Sequence, residues 1–129
     1  MNWILSYPRL LLEYDQLAAK NNVALEDRLV LLEKYPELVE DRDVLYLEYI
    51  TLLNETGQYD KALDALKEHT FHPWEGGEGK VSGQYRYAMT HKALGLMKEK
   101  DYEKAIRLLT DTFTYPDNLG ERKASERSG

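Results

Sequence analysis

Residues 57–62 read Gly-Gln-Tyr-Asp-Lys-Ala, and residues 100–105 read Lys-Asp-Tyr-Glu-Lys-Ala. The strings lie 43 positions apart, and the likeness extends to both sides of them. Leu53 recurs as Leu96, Tyr59 as Tyr102, Lys61 as Lys104, Ala62 as Ala105 and Leu66 as Leu109. Further on, Pro73 recurs as Pro116, Gly77 as Gly120, Glu78 as Glu121, Lys80 as Lys123 and Ser82 as Ser125. That is ten identities in thirty positions, where average usage produces about two by chance. Asp60 with Glu103 and Leu63 with Ile106 are conservative besides. A fixed period of this size marks a stack of repeated units.

The units are helical. In 8–20, Leu10, Leu11, Tyr14, Leu17 and Ala18 recur at helical spacing, with Glu13, Asp15, Gln16 and Lys20 on the other side. A second helix is expected over 25–34, with Glu26 and Asp27 in its first turn and Pro36 arresting it. Asp43 is placed to cap a third over 44–56, which is apolar around more than half its girth and ends at Gly57. Asp60 is placed to cap a fourth, with Ala62, Leu63, Leu66 and His69 on one stripe. Ser82 is placed to cap a fifth reaching Lys98, and a sixth covers 102–113 with Ala105, Ile106 and Leu109 inward. The sequence therefore predicts an all-α chain of about six helices in three antiparallel pairs. The first pair, within 1–42, is out of phase with the other two, since Pro8 to Asp43 is 35 positions. The remaining divisions are 43–80, 81–123 and a 124–129 tail with no apolar side chain beyond Ala124, expected to be frayed.

Composition narrows the functions available. The chain has 129 residues, 43% hydrophobic and 31% charged, as a soluble globular chain does. A net charge of −6 argues against general attraction to nucleic acid or an anionic membrane. With no cysteine there is no disulfide, thiolate metal site or cysteine nucleophile. The opening run MNWILSYPRLLL is broken by Ser6, Pro8 and Arg9, so it is no signal peptide. No stretch approaches the roughly 20 apolar residues of a membrane span. The cytoplasm is the expected location.

The repeated turn resembles the signature turn of tetratricopeptide repeats. In that family a Gly-polar-Tyr step joins the two helices of each unit, and a small residue three positions after the Tyr lets them approach. Ala62 and Ala105 stand at the small position, Leu66 and Leu109 at the large one four places later, and Pro116 at the closing proline. Ala93 matches the small residue midway in the first helix, where its counterpart is Ile50, and the period exceeds the family's usual length of about 34. The resemblance implies helix pairs stacked as a short right-handed solenoid. It also implies a concave face formed by Val44, Leu47, Thr51, Asn54 and Glu55 on one helix and Tyr87, Thr90, Leu94, Met97 and Lys98 on another. Such a mixed face accepts a peptide or a helix. The Lys, Asn and Arg set that clamps a C-terminal carboxylate is absent, because Leu47, Thr51, Thr90 and Leu94 stand there.

The loops PWEGGEGK (73–80) and PDNLGERK (116–123) are also similar to those of bacterial multi-domain proteins that pair such repeats with a carbohydrate-related β-sandwich region. The shared part reads as a repeated linker. Trp74, Glu75, Gly76 and Gly79 are not repeated, so a private function of the first loop falls to them, and for a sugar site the candidates are Trp74, Glu75 and Gly76 with the carboxylate of Glu78. A phosphate loop is excluded, since Trp74 and Val81 occupy places that need Gly and Ser or Thr. Glu75 and Glu78 have the chemistry for acid–base hydrolysis but no recognisable pocket. His69, His72 and His91 lack a metal-ligand spacing. No cofactor, metal or catalytic residue is therefore assigned. The expected activity is non-catalytic binding of a protein segment or of another domain of the same polypeptide, with an accessory role in a carbohydrate-active protein as the alternative. The phase places Ser125 at the cap of a further first helix. The sequence so reads as part of a longer array, with exposed apolar surface at its C-terminal end and weak self-association through the stack ends.

Overall fold

A computed structural model describes residues 8–74, 76–114 and 116–120. Glu75 and the 121–129 tail, with the expected cap Ser125, lie outside the described residues. Every regular element among those described is helical. They are α1 (Pro8–Lys20), α2 (Leu25–Glu33), α3 (Pro36–Asp41), α4 (Asp43–Glu55), α5 (Tyr59–Glu68), α6 (Lys80–Lys98) and α7 (Tyr102–Asp111), followed by one 3₁₀ turn at Asp117–Leu119. There are thus seven α-helices where the sequence predicts six. Pro36 accounts for the difference: it occupies the first turn of α3, where its missing N–H costs nothing and its fixed φ favours helix.

The chain divides into two compact units, the first ending at Gly57 and the second starting at Gln58. In the first, α2 and α3 both pack on α4, and α1 packs on α2 and α3. Leu11, Leu29, Leu32, Val39, Leu45 and Ile50 are buried there. In the second, α6 packs against both α5 and α7. Ala62, Ala65, Ala88, Ala93 and Ala105 are buried in it, small side chains that bring helix axes close.

Three helices end on a left-handed residue: α1 on Asn22 (φ 58°), α4 on Gly57 (φ 82°) and α6 on Lys100 (φ 65°). After α6 the cap is made by Lys100 N–H donating to Met97 O at 3.0 Å and Asp101 N–H to Leu96 O at 2.9 Å. After α1, Asn22 N–H reaches Ala19 O and Val23 N–H reaches Ala18 O in the same pattern. The repeated turn thus has the same backbone sign at Gly57 and Lys100, although only one of them is glycine.

Several expected caps are corrected. Gly79, left-handed at φ 78°, delivers the chain into α6 at Lys80, and Ser82 is buried inside that helix. Asp43 and Asp60 lie within the first turns of α4 and α5, whose N-cap residues are Arg42 and Gln58; Asp60 is turned to Lys92, 2.6 Å away. Of the described N-cap residues, those of α2 to α7, Asp101 is the one whose side chain caps, accepting from Lys104 N–H at 3.3 Å. The α7 helix stops at Asp111 because Thr112 and Phe113 N–H turn to i−3 carbonyls. Two expected faces are also corrected. Asp15, on the polar side of α1 by periodicity, is fully buried, whereas Tyr14 and Leu17 are exposed. Ile106, expected inward on α7, faces solvent.

The two loops expected to be simple linkers lie against each other in the second unit. Asn118 Nδ2 donates to the carbonyls of Leu66 (2.5 Å) and His69 (2.7 Å) at the end of α5. Phe71 N–H returns a bond to Asn118 O at 2.7 Å, and Leu119 is buried. Gly120 is required twice over, since its φ is 72° and a Cβ would come within 2.7 Å of Phe71 O.

Candidate functional site

The α6 helix carries the clearest surface feature. Its inner side holds Val81, Ser82, Ala88, Met89 and Ala93, all buried. The opposite side presents Tyr87, Thr90, Leu94 and Met97 at spacings of three and four, so they form one stripe along the helix. Tyr87 is 38% exposed, Leu94 45% and Met97 44%, and Thr90 is exposed between them. Large apolar side chains aligned in this way leave an apolar strip open on the helix.

The N-terminal end of the stripe is stiffened by a stack of rings. Tyr87 lies over His91 with centroids 4.1 Å apart and planes at 25°, and His91 lies over Tyr59 of α5 at 5.1 Å and 28°. His91 Nδ1 is 2.8 Å from the Tyr87 carbonyl. A carbonyl only accepts, so Nδ1 carries the proton and, in the neutral ring, Nε2 is the acceptor. The stack restricts the motion of the Tyr87 ring.

The α4 positions of the expected face are divided. Val44 and Thr51 are half-buried and Glu55 is exposed, whereas Leu47 and Asn54 are buried, Asn54 to 1% exposure. Leu47 and Asn54 lie seven residues apart on one edge of a helix that is buried over most of its circumference. Thr51 is further occupied in donating to Leu47 O at 2.8 Å. The side of α4 left open therefore consists of Val44, Glu48, Thr51 and Glu55.

The first loop closes on itself. Gly77 is buried beneath the Trp74 indole, with no room for a Cβ between them, and Gly77 N–H donates to Trp74 O at 3.0 Å. Trp74 is half-buried, Gly76 and Glu78 are exposed, and Gly76 is left-handed at φ 83°. The candidate Glu75 lies outside the described residues. His69 stands edge-on to Phe71 at 4.7 Å, away from the ring stack that holds His91. No group of three or more His, Cys, Asp or Glu among the described residues is arranged to hold a metal ion.

Between α6 and α7 runs an open groove of about 460 Å³, floored by Gly95, Leu96 and Leu108 and edged by Lys92, Lys104 and Arg107. Each cation already has a carboxylate partner: Lys92 has Asp60, Lys104 has Asp101 and Arg107 has Glu103. Nearby, burial and then the Asp111 charge push the Tyr85 phenol above its ordinary pKa, so it stays a donor and reaches Asp111 O.

A charge cluster that periodicity misses lies in the first unit. Arg28 donates through Nε to Asp15 Oδ1 at 3.0 Å and through Nη2 to Asp15 Oδ2 at 2.9 Å and Glu48 Oε1 at 2.6 Å. The bond to Asp15, then the charges of Asp15 and Glu48, keep the guanidinium pKa raised despite the opposing effect of burial. Burial, then the Asp15 charge, push the Glu48 carboxyl above the usual range, outweighing the pull of Arg28. Asp15 is wholly enclosed and Arg28 is buried, so that pair is closed to a substrate, and the cluster ties α1, α2 and α4 together. The available signal was Leu11 and Asp15, an i, i+4 pair on one side of α1.

No helix among the described residues is long and apolar enough to cross a membrane. The chain matches no known family model and no solved structure.

Proposed function

We propose that this chain is a non-catalytic helical-repeat scaffold of the tetratricopeptide-like kind, whose α6 face binds a protein segment or another domain by shape and apolar contact. The stripe of Tyr87, Leu94 and Met97 carries this reading, as three large apolar side chains aligned on the solvent side of one helix. The repeat reading draws support from the left-handed turns at Asn22, Gly57 and Lys100. Their spacings of 35 and 43 bracket one ordinary unit and one enlarged by its loop. Binding of this type is driven by buried anchors, so a few side chains account for most of it.

The test is selection of binders from a random peptide library displayed on phage, with the whole chain as target. Selected peptides should bind with affinity reduced at least about tenfold, or 1.4 kcal/mol, by Leu94→Glu. They should be unaffected by Ile106→Glu on α7. A set of binders indifferent to Leu94→Glu and Met97→Glu overturns the proposal.

A further inference from the structure

Charge is spread unevenly over the described helices, and α6 stands apart. Its 19 residues hold Lys80, Arg86, Lys92 and Lys98 and neither Asp nor Glu. The whole chain, by contrast, has 23 acids against 17 Lys and Arg. The helix dipole explains Lys98 in the last turn but favours acids in the first. There α2, α3, α4, α5 and α7 each carry one, whereas α6 opens on Lys80. Packing explains Lys92, whose Nζ is 2.6 Å from the Asp60 carboxylate of α5. Arg86 and Lys98 instead belong to the solvent side, where both are exposed.

These two cations border the apolar strip. Arg86 lies four residues before Thr90 and Lys98 four after Leu94, so each neighbours a member of the strip on the helix surface. From Tyr87 to Met97 the strip spans about 15 Å of helix, room for roughly three turns of another helix laid along it. The open side of α4, with Glu48 and Glu55 beside Val44 and Thr51, has the opposite sign. An apolar strip with positive edges is the complement of an apolar strip with negative edges.

We infer that the α6 face takes an acidic amphipathic helix of a partner protein, whose apolar side chains meet Tyr87, Leu94 and Met97 and whose carboxylates meet Arg86 and Lys98. The inference rests on the binding role proposed for α6 and adds the chemistry of the partner. The terminal stretches outside the described residues do not have that chemistry. Residues 1–7 hold no acid, and 121–129 hold Arg122, Lys123 and Arg127 against Glu121 and Glu126, with no large apolar side chain. A second copy and an anionic bilayer are both disfavoured by the net charge of −6, which repels each of them. The apolar anchors supply affinity, and the edge cations select the sign of the partner and speed its approach.

The probe is a pair of phage-displayed helix libraries that share random apolar positions and carry either Glu or Lys at the flanking positions. Each is selected against the full chain. Binders are expected from the Glu library, weakened about tenfold by Leu94→Glu. Lys98→Glu, or a rise in salt from about 0.05 to about 0.5 M, should weaken them several-fold. Lys20→Glu on α1 makes the same change in net charge at another exposed lysine and should leave binding unaltered. Lys98 is exposed too, so Lys98→Glu keeps the far-UV circular dichroism of the parent. No binder from the Glu library, or binders equally frequent with either flank and indifferent to Lys98→Glu, overturns the inference. If such indifferent binders are still lost on Leu94→Glu, the α6 role stands without the charge preference; binders indifferent to Leu94→Glu remove both. A concentration-dependent mass abolished by Leu94→Glu makes a second copy the occupant. Co-sedimentation with vesicles of anionic but not zwitterionic lipid makes it a membrane, and either result overturns the inference.

Discussion

Each unit has a polar tie between distant segments, and the two are built from opposite chemistry. In the first, Arg28 grips Asp15 and Glu48 with full charges. In the second, the neutral Asn118 amide satisfies the carbonyls that α5 leaves open at its end. A charged tie is strong once formed, but each member depends on the others, because a buried charge without its partner is costly. An amide tie is weaker and indifferent to pH. The first unit should therefore fail abruptly when one member is removed, and the second should loosen gradually.

The largest effect tests the charged tie. Asp15→Ala leaves the buried Arg28 guanidinium with Glu48 as its remaining carboxylate and should cost about 3–5 kcal/mol in urea unfolding. Asp15→Leu combined with Arg28→Met should recover most of that loss, since a packed apolar pair needs no compensation. A single variant no less stable than the parent would show that Arg28 finds water without penalty. Next in size is Asn118→Ala, which leaves the carbonyls of Leu66 and His69 without their donor. A loss of about 1–2 kcal/mol is expected, equal at acidic and neutral pH, and a loss that varies with pH would assign the tie to another group.

The smallest effect concerns Glu48. Its folded pKa is raised above the unfolded value by burial and by Asp15, so the folded chain binds the extra proton. The stabilisation is complete below the ordinary carboxylate range and is lost as pH rises through the raised pKa. Glu48→Gln should remove that decline, seen as a flatter dependence of the urea midpoint on pH as it rises from the ordinary carboxylate range. With the Glu48 side chain 34% exposed, solvent screening limits the effect to a fraction of a kcal/mol.

The contrast also explains which features were legible in the chain. The turn at Gly57, the span of α1 and the start of α7 at Tyr102 follow from local rules of spacing and φ, and they stand where expected. Pro36 was ambiguous, because proline both stops one helix and starts the next. Asp15 was misassigned since periodicity counts apolar residues only, and the partners that bury it lie 13 and 33 positions away. Of the positions that the resemblance implied, Tyr87, Thr90, Leu94 and Met97 on α6 are exposed, whereas Leu47 and Asn54 on α4 are buried.

By itself the sequence determined that the chain is helical, where its turns fall and that one helix pair echoes another. Those properties depend on backbone preferences within a few residues and on periodicity along one helix. The tertiary structure alone decided that Asp15 is enclosed, that Asn118 closes α5 and that Leu63 is covered while Ile106 is not. Each of these depends on which segment arrives as neighbour, and identical local patterns are silent on that point.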